Sequence, residues 1–90
     1  MISRVTDRFR KTFRELPRPI QRKAREVFRL FRQDPHNPLL HLKQVHKTKP
    51  VYSIRISLGW RALAIKDGEQ MIWFWIGSHA DYDKILKQLS

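Results

Sequence analysis

The sequence predicts an α+β fold in which two N-terminal helices pack on a small antiparallel sheet of three to four strands and a short C-terminal helix closes the chain. Two changes of period and one absence carry that expectation. Apolar residues recur every three to four positions as far as Phe31 and every second position from Val51, the repeats of a helix face and a strand face. The 90 residues contain no cysteine and are 41% apolar. One domain over residues 1–90 is therefore expected, with a modest core held by packing and hydrogen bonds alone.

Val5, Phe9, Phe13 and Leu16 lie at steps of four, four and three, on one side of a first helix that Pro17 stops. Met1 to Val5 fits either the opening of that helix or a short edge strand followed by Thr6 as a cap. The second helix runs from Pro19 to Gln33, entered through a proline and left at Asp34-Pro35. Ile20, Ala24, Val27, Phe28 and Phe31 share one face of it, and Arg18, Arg22, Arg25, Arg29 and Arg32 line the other.

Pro35 to Pro50 reads as a linker with a brief strand between Leu39 and Val45. Its histidines, His36, His41 and His46, are five apart, a spacing that suits neither a helix face nor a strand face, so no metal site is expected. From Val51 the residues Tyr52, Ile54, Ile56 and Leu58 alternate with Val51, Ser53, Arg55 and Ser57, which predicts a strand with one core face and one polar face. Gly59 turns the chain into strands over Trp60 to Lys66 and Met71 to Ile76, joined around Asp67-Gly68. The last strand is apolar on both sides, with Trp73 and Trp75 read on one and Ile72, Phe74 and Ile76 on the other. Ser78 and Asp81 have the spacing of a helix cap, so a short final helix is expected from His79.

Charge narrows the partners. Nineteen Lys and Arg against eight Asp and Glu give +11, and residues 1–49 hold 14 of the bases and only 4 of the acids. A field of that sign draws nucleic acid, an anionic membrane or an acidic protein. The longest apolar run, Met71 to Ile76, is far too short to span a bilayer, and the apolar face of the second helix is needed for the core. No membrane association is expected, and a cytoplasmic setting is. The arginine line, with Lys43, Lys47 and Lys49, reads either as a solvated surface or as phosphate contacts.

Arg55 on the first long strand, Arg61 just past Gly59 and His79 just past the last strand converge if the three strands form a meander. A histidine and two arginines suit cleavage of RNA. A neutral imidazole can take the 2′-hydroxyl proton while guanidinium groups hold the charge that grows on phosphorus. Each also has a plainer role: Arg55 as surface charge, Arg61 paired with Asp67 or Glu69, His79 as an ordinary helix opener and Tyr82 as core. Trp60, Trp73 and Trp75 read as sheet cover, with an exposed one able to stack on a base.

The runs Tyr52-Ser53-Ile54-Arg55-Ile56, Gly59-Trp60-Arg61-Ala62-Leu63 and Trp73-Phe74-Trp75-Ile76-Gly77-Ser78-His79-Ala80-Asp81-Tyr82 resemble the RelE/ParE superfamily of toxins from bacterial type II toxin–antitoxin systems. The resemblance covers almost the whole chain and implies a RelE-like fold. It implies one of two targets: ribosome-bound mRNA, cut without metal or other cofactor, or DNA gyrase, inhibited without nuclease activity. On the first, Arg61 matches an arginine used near the scissile phosphate and Arg55 a basic strand position. His79 falls where some ribosome-dependent members carry a histidine base and RelE itself carries arginine, and Tyr82 lies close to, but not in register with, a tyrosine used by RelE. Ser53 departs from the pattern, standing where RelE has lysine. The implied partners are the ribosome and its mRNA, gyrase in the alternative, and an acidic antitoxin. A non-toxic basic module that binds nucleic acid is the third reading, because fold does not fix function.

Overall fold

The computed structural model describes residues 1–89. The chain runs β1 (Ile2–Val5), α1 (Asp7–Arg14), α2 (Arg18–Gln33), a single 3₁₀ turn (Pro38–Leu40), β2 (Lys43–Gln44), β3 (Val51–Ser57), β4 (Trp60–Asp67), β5 (Gln70–Ser78) and α3 (His79–Leu89). The strands form one sheet in the order β1-β5-β4-β3-β2. This extends and corrects the expected antiparallel sheet of three to four strands. There are five, and β1 runs parallel to β5, with Ile2 opposite Gln70 and Val5 opposite Trp73.

Of the two readings of the N-terminus, the structure takes the edge strand. Ile2 and Val5 are β-branched, and Thr6 breaks the extended segment by accepting the Phe9 N–H on its side-chain oxygen at 3.1 Å. The α1–α2 corner is held by Gln21, whose amide donates to the carbonyls of Leu16 at 3.0 Å and Arg14 at 3.4 Å. These carbonyls lie at the end of α1, where helical partners run out.

Both helices cover one face of the sheet. Phe9, Ala24 and Phe31 pack there against Ile54, Ile56, Ala62, Met71 and Trp73. The Trp73 ring meets Phe28 at 4.9 Å and Phe31 at 5.2 Å, both edge to face, a geometry aromatic quadrupoles favour. With the apolar side of α2 so engaged, all five of its arginines are exposed.

The opposite face is not the polar surface that the alternation of β3 predicts. There α3 covers Val51, Leu63 and Trp75 with the buried Tyr82, and Ser53 is 1% exposed. Leu58, expected on the core face, sits in the β3–β4 turn and is exposed.

The two tryptophans of β5 also differ from expectation. Leu63 pairs with Trp75 and Ala64 with Trp73, so Phe74 is an extra residue opposite no partner. Such a bulge reverses the pleat. Trp73 therefore belongs to the helix-side core and Trp75 to the α3-side core. Beyond it Gly77 makes room for the Trp75 ring, because a Cβ there would come within 2.6 Å of it. The β4–β5 hairpin turns through Gly68 at φ 58, which only glycine adopts without cost.

In the linker, His46 is a structural clasp. Its Nδ1 accepts the N–H groups of Lys49 at 3.0 Å and Thr48 at 3.2 Å, so Nε2 carries the proton and donates to the Leu89 carbonyl at 2.9 Å.

Candidate functional site

The register that sequence alone left open is settled at one end of the sheet. Arg55 pairs with Arg61 across β3 and β4, and Arg61 pairs with Gly77 across β4 and β5. His79 follows two residues after Gly77, and its backbone N–H donates to the Gly59 carbonyl at 2.8 Å. Directly paired residues have Cα atoms about 4.5–5.5 Å apart, so the backbone positions of the three predicted residues lie at the same end of the sheet, with Arg61 between Arg55 and the strand that leads to His79. The pleat gives their direction. Ala62 and Ile54 pack on the helix side, hence Arg61 and Arg55 start from the α3 side of the pleat, and Arg55 also borders a hollow lined by Lys23, Leu39 and His41 at the β3 edge.

Arg61 does not pair with Asp67 or Glu69, which lie at the far end of the β4–β5 hairpin. Its Nη1 turns back on the β3–β4 turn and donates to the carbonyls of Ser57 at 2.8 Å, Trp60 at 2.9 Å and Leu58 at 3.3 Å. Those bonds hold the guanidinium in place and leave its Nε and Nη2 donors available. Arg55 is half-buried and has no side-chain hydrogen bond or ion pair among the described residues. Two cations directly opposite each other destabilise a sheet. An anion bound between them would remove that penalty.

His79 opens α3 with its ring half in solvent, and its Nδ1 lies 3.4 Å from an Asp83 carboxylate oxygen one helical turn on. That contact sets a carboxylate beside Nδ1; a proton held on Nδ1 would leave Nε2 as the nitrogen that can accept one. The Tyr82 ring meets that of His79 edge on at 5.4 Å. Its own hydroxyl points inward and donates to Ser53 at 3.4 Å. Tyr82 thus supports the His79 ring from the core and does not offer its hydroxyl to solvent. The same bond gives the buried Ser53 hydroxyl its partner.

The predicted phosphate-binding residues fall in two other places. Arg18, Arg22 and Arg25, joined by Arg14 from α1, surround a hollow of about 690 Å³ at the α1–α2 corner. Arg25, Arg29 and Arg32 rim a second groove floored by Phe9, Phe13 and Phe28, with the Arg25 guanidinium 5.2 Å above the Phe13 ring. All of this lies outside the helix layer. Lys43 is on the opposite edge strand, and Lys47 and Lys49 follow in the clasped loop.

Sequence reasoning missed three features. The Asp83 partner of His79 was legible as an i, i+4 spacing. The close approach at Gly77 depends on a ring packed from the neighbouring pleat and had no local signal. A cleft of about 280 Å³, formed by Glu15, Leu16, Trp60, Gly77, Ser78 and Asp81 with neighbouring residues, joins α1 to the strand ends.

A family model described as the ParE-like toxin domain matches residues 18–84. No curated protein matches the sequence. Several solved structures share the fold. YafQ from Escherichia coli BL21(DE3) superposes with a TM-score of 0.72 at 10% identity, over 89% of this chain and 94% of its own. A chain of the RelB–RelE antitoxin–toxin complex from Methanococcus jannaschii gives 0.75 at 14% identity, over 91% and 96%. A chain of the RelBE2 toxin–antitoxin complex from Mycobacterium tuberculosis gives 0.66 at 23% identity, over 86% and 95%.

Proposed function

The chain belongs to the ParE-like toxin family, and from that we propose that it acts as the toxin of a toxin–antitoxin pair by cutting ribosome-bound mRNA without a metal. The observation that supports the reading is the Arg55–Arg61–Gly77 row, which brings two arginines, neither paired with a carboxylate among the described residues, to the end of the sheet from which His79 follows. In this reading Nε2 of His79 takes the proton of a ribose 2′-hydroxyl as its oxygen bonds to the adjacent phosphorus. The bond from phosphorus to the 5′-oxygen then breaks, and the leaving oxygen is protonated by the imidazolium or by water. Arg61, immobilised on the β3–β4 turn, and Arg55 stabilise the charge on the phosphoryl oxygens. Asp83 fixes the tautomer of His79, and Tyr82 positions its ring.

The products are a 5′-hydroxyl and a 2′,3′-cyclic phosphate, or the 3′-phosphate that follows from it. Arg18, Arg22, Arg25, Arg29, Arg32, Lys43, Lys47 and Lys49 grip ribosomal RNA, a contact that fixes position without reading sequence. The stripe lies on the outer side of α2 and the row on the far face of the sheet, so a body as large as the ribosome suits both better than a short strand does. A target of this kind puts the site of action in the cytoplasm. The partner that restrains the chain is a small acidic antitoxin, in keeping with its +11 charge.

The test is a translation extract containing the purified chain. His79→Ala and Arg61→Ala are each expected to lower mRNA cleavage by about 10²-fold or more. Cleavage at the unmodified level in both variants overturns the assignment. The matched family model is ParE-like, which favours one second reading, inhibition of DNA gyrase with no cleavage. Loss of supercoiling by gyrase in the presence of the chain, with mRNA intact, decides for it.

A further inference from the structure

We propose that the cleft between α1 and the ends of β4 and β5 is a nucleobase subsite that selects guanine, with Trp60 as the stacking surface and Glu15 as the reading group. The inference rests on the ribonuclease reading for its biological meaning, but the binding it predicts can be measured without cleavage.

Three observations lead there. The first is an acid in the wrong place. Glu15 caps the C-terminal end of α1, where the helix dipole disfavours negative charge. Its carboxylate has no hydrogen bond or ion pair among the described residues, although the chain carries 19 lysines and arginines. Stability does not account for it. The second is the wall: Trp60 is half-buried at the start of β4 and lines the same cleft as Glu15. The cleft, about 280 Å³, lies just below the range of about 300–1,000 Å³ typical of drug-sized ligands, as a single flat base would require. The third is position. Ser78 and Asp81, which line it, flank His79 in sequence, so a base held there belongs to a nucleotide next to the proposed cleavage point.

The chemistry then selects the base. A carboxylate only accepts hydrogen bonds. Guanine alone among the RNA bases offers two adjacent donors on its pairing edge, the N1–H and the N2 amino group, matched to the two oxygens of Glu15. Adenine and cytosine offer one amino group, and uracil one imide N–H. Asp81 is less suited to the role, since it already lies 4.0 Å from Lys84. Repulsion between Glu15 and phosphate also favours presenting a base edge in this cleft over the backbone.

The probes are four 2′-O-methyl pentaribonucleotides, which cannot be cleaved. Each has uridine at the outer positions and guanine, inosine, adenine or uracil at the centre, and binding to the full chain is followed by fluorescence anisotropy. Expected is an order guanine, inosine, then adenine and uracil, with guanine about ten-fold tighter than adenine. In Glu15→Gln the guanine preference should fall to about two-fold or less with uracil binding unchanged. In Trp60→Leu, binding to all four should weaken by about 10-fold, within the range known for loss of one base–aromatic stack. Equal binding of the four probes, or a guanine preference that survives Glu15→Gln, overturns the proposal. Because Glu15 is exposed, that variant keeps the fold whether or not Trp60→Leu does. Guanine-selective binding without mRNA cleavage would retain this subsite while rejecting the ribonuclease reading. Cleavage without selectivity would do the reverse.

Discussion

On the helix side of the sheet, Phe31 and Trp73 are fully buried and meet edge to face, and the residues that back them carry an uninterrupted line of arginines on their outer surface. On the α3 side the buried core is four residues, Val51, Leu63, Trp75 and Tyr82, and its border holds His79, Asp83, Arg55 and Arg61. The difference follows from what each layer must do. A broad apolar interface fixes the fold and leaves the outside of α2 free to carry charge at no cost to packing. The thinner layer can keep a histidine and two arginines partly wet because it contributes less to the stability of the whole.

The contrast between the two layers is tested most severely at Trp73. Replacing it with alanine empties the centre of the larger core and should cost about 3–5 kcal/mol in chemical denaturation, enough to unfold a marginal domain. A destabilisation below about 2 kcal/mol would mean that the helix side is not the dominant core.

Gly77→Ala comes next, because it strikes the border between the two layers. The new methyl would displace the Trp75 ring, at a cost of about 1–3 kcal/mol, and shift His79 two residues on. Both the denaturation midpoint and mRNA cleavage should fall. A midpoint unchanged from the parent would show that the ring moves freely.

Tyr82→Phe removes only the hydroxyl that donates to Ser53. Its cost should be about 1 kcal/mol, or somewhat more from leaving the buried serine unpaired. Cleavage should persist if Tyr82 acts by packing against His79, and its loss in a folded variant would give the hydroxyl a direct part.

The smallest effect on stability is expected on the outer face of α2. Arg22→Gln combined with Arg29→Gln should leave the denaturation midpoint in place while lowering the salt dependence of RNA binding. The log–log slope should become shallower by about 0.7–0.9 for each phosphate that the two arginines no longer neutralise. An unchanged slope would make the stripe a solvated surface and nothing more.

Much of this was legible in the chain. The helical period gave α1 and α2, the alternating period gave β3, the apolar run from Met71 to Ile76 gave β5, and Asp67-Gly68 marked the hairpin that joins it to β4. The same is true of part of the site. Arg55, Arg61 and His79 stand out as a set because each has chemistry suited to a phosphodiester and lies near a strand end. Tyr82 reads as core or catalytic with equal reason, since an aromatic ring with a polar tip serves either. Only the position of Ser53 beneath it shows which way the hydroxyl points. The polar face read into β3 is an error of the same origin: alternation reports which side is more apolar, not whether another element covers the other.

What the sequence determined by itself is what local spacing and summed charge can encode: the types of the longer elements, the glycine turn, the cap at Ser78, and a field that favours polyanions. Those depend on neighbours within a few residues or on no geometry at all. The tertiary structure decided the rest. The parallel pairing of β1, the extra residue at Phe74 that sends Trp73 and Trp75 to opposite faces, and the register that aligns Arg55, Arg61 and Gly77 are all choices between partners distant in the chain. A one-residue slip in a strand reverses every side chain beyond it, so only the packed sheet fixes which residues meet.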